Sequence, residues 1–420
     1  MKKLLALLLA ALMTLSVASI AAAEKPLELD VIICQYGNKT NDWFTGTGMN
    51  GTSFVKKFES ENPGIKLNLE VVSWTDVYTV VSTRISSKNT PDILNIDVFA
   101  NYATEGLLMP VKDYCPEDLY KDFFPSFIDQ SVIDGTVWAV PDLASARAMY
   151  YNKDILEEVG VEVPETWADL RDAAQAIKDY YNGEVYPWAV DMTSDEGQAA
   201  FAYYAWGNGG GFVDADNNWA VNSDANVEAI EYAIGLVKDG YTNPNPATQN
   251  RYDLQDMFGA GKCAMIIAPN QLPTYLAEKG YSINFGTANL PHNEGKTSST
   301  VGIMDRVMAF KDDSLSEEEN KARNEAIGKF MTFFYNPENY VGWVSMEGFL
   351  PAVNSAVSAL VASDPSFEAW LSVLDGAKFY PTAKAEWDQV KQGVIRAEQN
   401  ALTGSDVRAE LDALQAELTK

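Results

Sequence analysis

The chain has 420 residues, 47% hydrophobic and 21% charged, with 59 acidic against 31 basic side chains and a formal charge of −28. This is globular composition with material for roughly two or three domains, and it excludes a disordered or fibrous chain. So negative a surface repels phosphate backbones and anionic lipid, and one histidine with three cysteines gives little basis for a conventional zinc site or a His-dependent mechanism.

Residues 1–23 read as a cleaved secretory signal: Lys2 and Lys3, an apolar run from Leu4 to Leu15, then Ala21 to Ala23 before Glu24. The run is too short for a comfortable membrane span. No cysteine lies near the junction, so lipid attachment is not expected, and the mature product is predicted to be a soluble, exported, extracytoplasmic protein starting at Glu24. Export permits disulfides. Cys34 and Cys263, however, end or begin apolar runs and read as small core residues, and spacing alone leaves any pairing with Cys115 open.

Leu27–Cys34 is predicted as a first strand, and Gly51–Glu61 as a helix stopped by Asn62-Pro63-Gly64. Ile65–Val72 alternates and reads as a strand, followed by a helix capped at Thr75 or Asp76 that runs to about Ser87. Asp92–Ile96 is a third strand. Strand and helix alternate in this way as a βαβαβ unit, whose ligand sites belong at the carboxyl ends of the strands, here Gln35-Tyr36 and Asp97-Val98-Phe99. Val137–Pro141 and Met149–Tyr151 read as further strands. Thr166 to Asp169 forms a capping box. Val227, Ile230, Ile234 and Val237 keep helical spacing, and Lys262–Ala268 reads as a buried strand. Ser316 to Glu319 is a second capping box, opening a helix with Ile327, Phe330 and Phe334 on one face. Residues 390–418 are mostly helical, broken at Thr403-Gly404-Ser405. Asp214, Asp216 and Asn218 alternate like a calcium loop, but Trp219 and Ala225 stand where its Gly and final Glu should be, so a hairpin turn is expected. No repeat, low-complexity tract or flexible linker interrupts the α/β pattern.

Several phrases together resemble the sugar-binding extracellular solute-binding proteins of bacterial ABC importers, the family that includes maltose-binding protein. They are Phe58 to Glu70 (FESENPGIKLNLE), Thr90 to Ile93, Glu105 to Leu108, and Trp138 to Pro141 (WAVP). Tyr150 to Asp154 (YYNKD), Pro164 to Leu170 (PETWADL), Phe258 to Met265 (FGAGKCAM), Gly348 to Pro351 (GFLP) and Ala401 to Gly404 follow in the family's order. The resemblance implies two α/β lobes, 24–127 with 290–336 and 128–289 with 337–420, joined by a hinge of three crossings. It implies a monomeric receptor that holds a carbohydrate in the interlobe cleft, closes on it and delivers it to a membrane permease from the periplasm. No catalysis, cofactor, metal or nucleic acid is expected.

Sugar recognition needs aromatic faces for the apolar side of a pyranose and polar side chains for its hydroxyls. Asp97 and Phe99 follow the third strand, where the family places a sugar-binding acid; Asp97 could equally cap the next helix. Gln35, Tyr36 and Trp43 belong to the loop after the first strand, which either borders the cleft or packs locally. Asp142 and Arg147 either pair with one another or face ligand. Trp206 and Asn208 are ligand candidates, or parts of a helix C-cap and turn. Asn270 follows the buried strand, and Phe349 lies in the GFLP phrase. Asp305 beside Arg306 departs from the small residues usual in the family and suggests a polar ligand contact or an interlobe salt bridge. Trp387 resembles a position where the family stacks a ring on sugar. Two other readings are carried. In one, Arg147 and Arg306 grip an anionic ligand, such as glycerol phosphate or an acidic oligosaccharide. In the other, the chain is a secreted carbohydrate-active enzyme using paired carboxylates.

Overall fold

A computed structural model describes residues 26–346, 348–375 and 377–419; the expected signal segment lies outside the described residues. The chain runs β1 (Leu27–Cys34), α1 (Thr40–Thr45), α2 (Phe54–Glu61), β2 (Ile65–Val72), α3 (Val77–Ser86), β3 (Ile93–Ile96) and β4 (Val140–Asn152). It continues α4 (Trp167–Tyr180), β5 (Tyr186–Ala189), α5 (Gly197–Gly207), α6 (Asp224–Lys238), α7 (Arg251–Gly259), β6 (Cys263–Pro269), β7 (Phe285–Ala288) and β8 (Val301–Ala309). Then come α8 (Glu317–Phe334), α9 (Pro337–Met346), β9 (Leu350–Pro351), β10 (Lys378–Phe379), α10 (Trp387–Leu402) and α11 (Val407–Leu418).

Two compact α/β units result. The first runs to Ile93 and takes in Asp312–Phe333; the second holds Leu94–Lys311 and Phe334 onward, so the chain passes between them three times and residues 94–127, 290–311 and 334–336 count with the second. In the first unit β1 and β2 pair in parallel, Leu27 opposite Ile65 through Cys34 opposite Val72. The Ser53 hydroxyl caps α2 by accepting from Lys56 N at 3.2 Å. Phe54 and Phe58 on α2 meet Phe330 and Phe333 on α8 at ring separations of 5.0–6.1 Å, most of them edge-on, as the ring quadrupoles favour. Arg84 closes on Asp30 at 2.9 Å, and Arg323 of α8 pairs with Asp92.

The second unit is built on the strand order β3, β8, β4, β6, β5. β4 runs antiparallel to both β8 and β6, while β5 is parallel to β6. Every residue of β4 except Tyr151 is buried, so the strand lacks the alternation of a half-exposed one. Between β4 and β8 the register slips: Asp305 faces Leu143 but Arg306 faces Pro141, leaving Asp142 as the extra residue of a bulge. The Tyr335 hydroxyl donates to Pro141 O at 2.8 Å and the Tyr340 hydroxyl donates to Asp142 O, so the displaced carbonyls are satisfied. Thr166 and Asp169 form the expected capping box on α4. α10 and α11 cross closely at Gly393, where a Cβ would lie 2.3 Å from a Leu414 methyl. Residues 213–219 form a turn closed by a bridge between Val213 and Trp219. Cys34, Cys115 and Cys263 are all free thiols, and all are buried. Among the described residues no helix is long and apolar enough to cross a membrane, and no cluster of three metal-ligating side chains occurs.

Candidate ligand-binding site

In the second unit four rings converge. α5 delivers Trp206 from its last turn, α10 delivers Trp387 as its first residue, and the segments after α5 and β10 add Phe212 and Tyr380. Tyr380 stacks on Trp387 with centroids 5.0 Å apart and planes at 22°, and lies 6.3 Å from Trp206 at 31°. Phe212 meets Trp387 edge-on at 5.0 Å. Gly211 makes the turn possible: its φ is +152°, and a Cβ there would sit 2.9 Å from the Trp206 indole nitrogen. The Lys378 ammonium lies 5.8 Å over the Trp206 ring.

A charged cluster faces the Tyr380 hydroxyl. Arg147 of β4 donates to both Glu196 carboxylate oxygens, at 3.0 and 3.3 Å, and to the Ser145 hydroxyl at 3.0 Å. Arg251, first residue of α7, closes on the same carboxylate at 3.1 Å. Burial works to raise the Glu196 pKa, but Arg147, Arg251 and then Lys391 outweigh it and hold the carboxyl below its usual value. Its neighbour Asp195 goes the other way: burial and the Glu196 charge raise it against Arg251, Lys391 and Arg147. Tyr203 joins from α5, raised by burial and the Glu196 carboxylate. The Tyr380 hydroxyl is buried, has no hydrogen-bond partner among the described residues, and is raised by burial and by Tyr203 and Glu196. A buried hydroxyl in that condition is uncommon; Tyr114 shares it, and what distinguishes Tyr380 is its place in the aromatic wall beside the charged cluster. Beneath the cluster lies a cavity of about 30 Å³ lined by Arg147, Trp188, Asp191, Glu196, Tyr203 and Arg251. That is room for a water or so and not for a sugar ring. An open depression of about 500 Å³ in the first unit, beside Asp30, Lys56, Asn68 and Arg84, has no aromatic lining to stack a pyranose.

Arg306 is the structural knot of the second unit. Its five N–H groups reach five acceptors: Nε the Ser131 hydroxyl at 3.0 Å, Nη1 the Asp97 and Met304 carbonyls at 2.7 and 3.1 Å, Nη2 the Gln130 carbonyl at 3.4 Å and the Thr382 hydroxyl at 2.8 Å. Its carbon stands 5.0 Å over the fully buried Phe99 ring. Burial lowers its pKa to about 10 against the pull of Asp305 and Asp97. The Asp97 carboxylate lies 3.8 Å from the Lys391 ammonium, on the side of Tyr380.

The remaining sequence-derived residues fall in other places. Asp142 is fully buried in the bulge, accepts from Asn95 at 2.8 Å, and is raised by burial and then by Asp305, which is itself buried. Asn270 is spent on the backbone, accepting from Ala146 N at 3.1 Å and donating to Gly348 O at 2.6 Å. Asn208 ties α5 to α6, donating to Ala225 O and Glu228 at 2.8 Å. Phe349 is half-buried, its backbone held by Val344 O at 2.9 Å. In the first unit Tyr36 meets Trp74 edge-on at 5.5 Å, Gln35 reaches Gly37 O at 3.5 Å, and Trp43 is buried on α1. The structure therefore gathers Arg147, Trp206, Trp387 and Asp97 around Tyr380. The sequence reading omitted Tyr380, Tyr203, Asp195, Glu196, Arg251 and Lys391. Only the Asp195-Glu196 pair ahead of an apolar helix offered a local signal, as acids at a helix start.

Residues 51–341 match the family described as bacterial extracellular solute-binding protein. A binding protein of Brucella abortus (strain 2308) is 28% identical over 413 residues, covering 95% of this chain and 96% of that one. The maltose-bound MalE3 of T. maritima superposes with a TM-score of 0.78 at 20% identity, over 94% of this chain and 99% of that one. An ABC substrate-binding protein from Listeria monocytogenes in complex with cycloalternan gives a TM-score of 0.75 at 22% identity, over 94% and 98%. The chain belongs to the bacterial extracellular solute-binding protein family.

Proposed function

We propose that this protein is the extracytoplasmic receptor of an ABC importer, that its ligand is a neutral carbohydrate held against the Trp206–Tyr380–Trp387 rings, and that it hands the ligand unchanged to a membrane permease. The observation that carries this reading is the unpartnered, buried Tyr380 hydroxyl, set in an aromatic wall and facing the Arg147–Glu196 pair. Rings cover the C–H face of a pyranose, while the carboxylates of Glu196, Asp195 and Asp97 accept from its hydroxyls. The maltose and cycloalternan bound by the two structural neighbours support the carbohydrate class.

The arginines favour a neutral ligand over an anionic one. Arg306 has spent all five donors within the protein, and Arg147 is committed to Glu196 and Ser145. An anion would have to compete with these buried partners and would meet the charges of Glu196 and Asp97. The test is calorimetric titration of the mature protein with neutral oligosaccharides and sugar phosphates, with the recovered ligand analysed. Saturable, salt-insensitive binding of a neutral sugar with a midpoint of about 1 μM, worth roughly −8 kcal/mol, is expected. Binding confined to phosphates and weakened by salt would replace this reading with the anionic one, and cleaved sugar would replace it with an enzyme.

A further inference from the structure

Glu398 of α10 is fully buried, and among the described residues neither of its carboxyl oxygens receives a hydrogen bond. The acid that acts on it is Asp191, in the segment between β5 and α5. Asp191 Oδ1 accepts from Thr193 N at 2.8 Å, but Oδ2 is buried without a donor among the described residues. Two contacts fix this segment to α10: Gln399 Nε2 donates to Met192 O at 2.8 Å, and a Cβ on Gly197 would lie 3.0 Å from Ile395.

The surrounding charges leave the pair unneutralised. On the 191–196 segment Asp195 and Glu196 add negative charge near Asp191. The cations Arg147 and Arg251 are committed to Glu196, and Lys391, on the helix of Glu398 itself, lies by Asp97. From α5, Tyr204 accepts from the Trp188 indole at 3.0 Å and Tyr203 faces Arg147. From α6, Glu228 is bound by Asn208, and Asp224 by Arg408. From α11, Glu410 is bound by Asn400. Among the described residues no cation pairs with Glu398.

A buried carboxylate without donor or counter-ion is not tolerated; the group keeps its proton instead. We propose that Glu398 and Asp191 form a buried proton-binding pair that fastens α10 to the segment carrying Glu196, making the second unit pH-responsive. The inference does not depend on the ligand. Burial, and then the facing Asp191 charge, push Glu398 well above the ordinary carboxyl range, while burial raises Asp191 to about 7. The two titrate as a coupled pair. Both shifts are upward, so the stability they contribute is fully present below the unfolded carboxyl values of about 4, and it is lost as pH rises to about 7 and beyond.

Thermal and urea unfolding of the full mature protein from about pH 5 to about pH 8.5, comparing wild type with Glu398→Gln, reads the coupled pair, because titrations outside the pair cancel in the difference. As pH rises, the wild-type unfolding constant should increase at least about tenfold more than that of the variant, which carries a neutral amide in the same place. Near neutral pH the infrared C=O stretch of protonated carboxyls should lose one component in Glu398→Gln, seen in the wild-type-minus-variant difference spectrum, where the buried Asp142 contributes equally to both proteins. Parallel pH profiles, or an unchanged infrared band, would overturn the proposal. If Glu398→Gln does not fold, Asp191→Asn serves. It should flatten the pH profile while keeping the Glu398 band, and an unflattened profile with no such band counts against the pair.

Discussion

The interiors of the two units are stabilised in opposite ways. The first is closed mainly by hydrocarbon: Phe54 and Phe58 interleave with Phe330 and Phe333, the Arg84–Asp30 pair is partly exposed, and buried charge enters through Arg323, which pairs with Asp92. The second is threaded with buried charge: Arg306 with its five acceptors, Arg147 between Glu196 and Ser145, Asp142 in its bulge. An apolar core depends on volume and tolerates changes of identity that conserve it. A buried polar network depends on completeness, because every partner removed strands another. The second unit is therefore expected to be the less forgiving, and it is the one that carries the candidate site.

Arg306 offers the sharpest way to break that contrast. Arg306→Met takes the donor from five acceptors, three of them in buried bonds, and should cost about 3–5 kcal/mol in urea unfolding, with an unchanged m-value. Arg306→Lys should recover only part of this, since lysine brings three donors to five acceptors; full recovery would show that charge alone matters there. In the first unit Phe58→Ala should cost about 3–5 kcal/mol through the cavity, whereas Phe58→Leu should stay within about 1.5 kcal/mol. A Leu variant as damaging as the Ala variant would mean that ring geometry, not volume, closes that core. Tyr380→Phe separates stability from binding. The hydroxyl has no partner among the described residues, so removing it should leave unfolding within about 0.5 kcal/mol of wild type, yet weaken ligand by roughly tenfold or about 1.4 kcal/mol. Equal affinity in the two proteins would remove that hydroxyl from the site. The smallest effect belongs to the rim of the second unit, where Thr166→Ala should lower stability by about 1 kcal/mol through loss of the α4 cap. The Thr166 hydroxyl and backbone hold the Asp169 pKa down, so the cap's pH-linked contribution is present above the ordinary carboxyl range and fades as pH falls through that lowered value.

The local grammar of the fold was legible. β1 and β2 fall on the predicted Leu27–Cys34 and Ile65–Val72, and the capping boxes at Thr166 and Ser316 open helices as read. What failed to show was structure buried on every side. β4 was visible only in pieces, because a strand covered on both faces has no alternation to detect. α5, buried around most of its circumference, likewise offers no apolar stripe. The candidate site was half legible. Trp206, Trp387, Asp97 and Arg147 announce themselves by residue type and by resemblance. Glu196 and Arg251 acquire meaning only from Arg147, which is 49 residues from Glu196 in sequence, and Tyr380 only from rings that the fold brings to it.

The three buried thiols give the protein a record of its own history. Burial raises both Cys115 and Cys263 to about 12, so near pH 8 only about one thiol in ten thousand is the reactive thiolate, and the rest of the protein covers even that. In an oxidising medium these sulfurs stay reduced only while the chain stays folded. Each opening exposes them, and an oxidised or cross-linked thiol cannot return to a cavity shaped for a small apolar side chain. The fraction of molecules still carrying three free thiols therefore measures how seldom the population has unfolded, and the rate at which an alkylating reagent consumes them times the next opening.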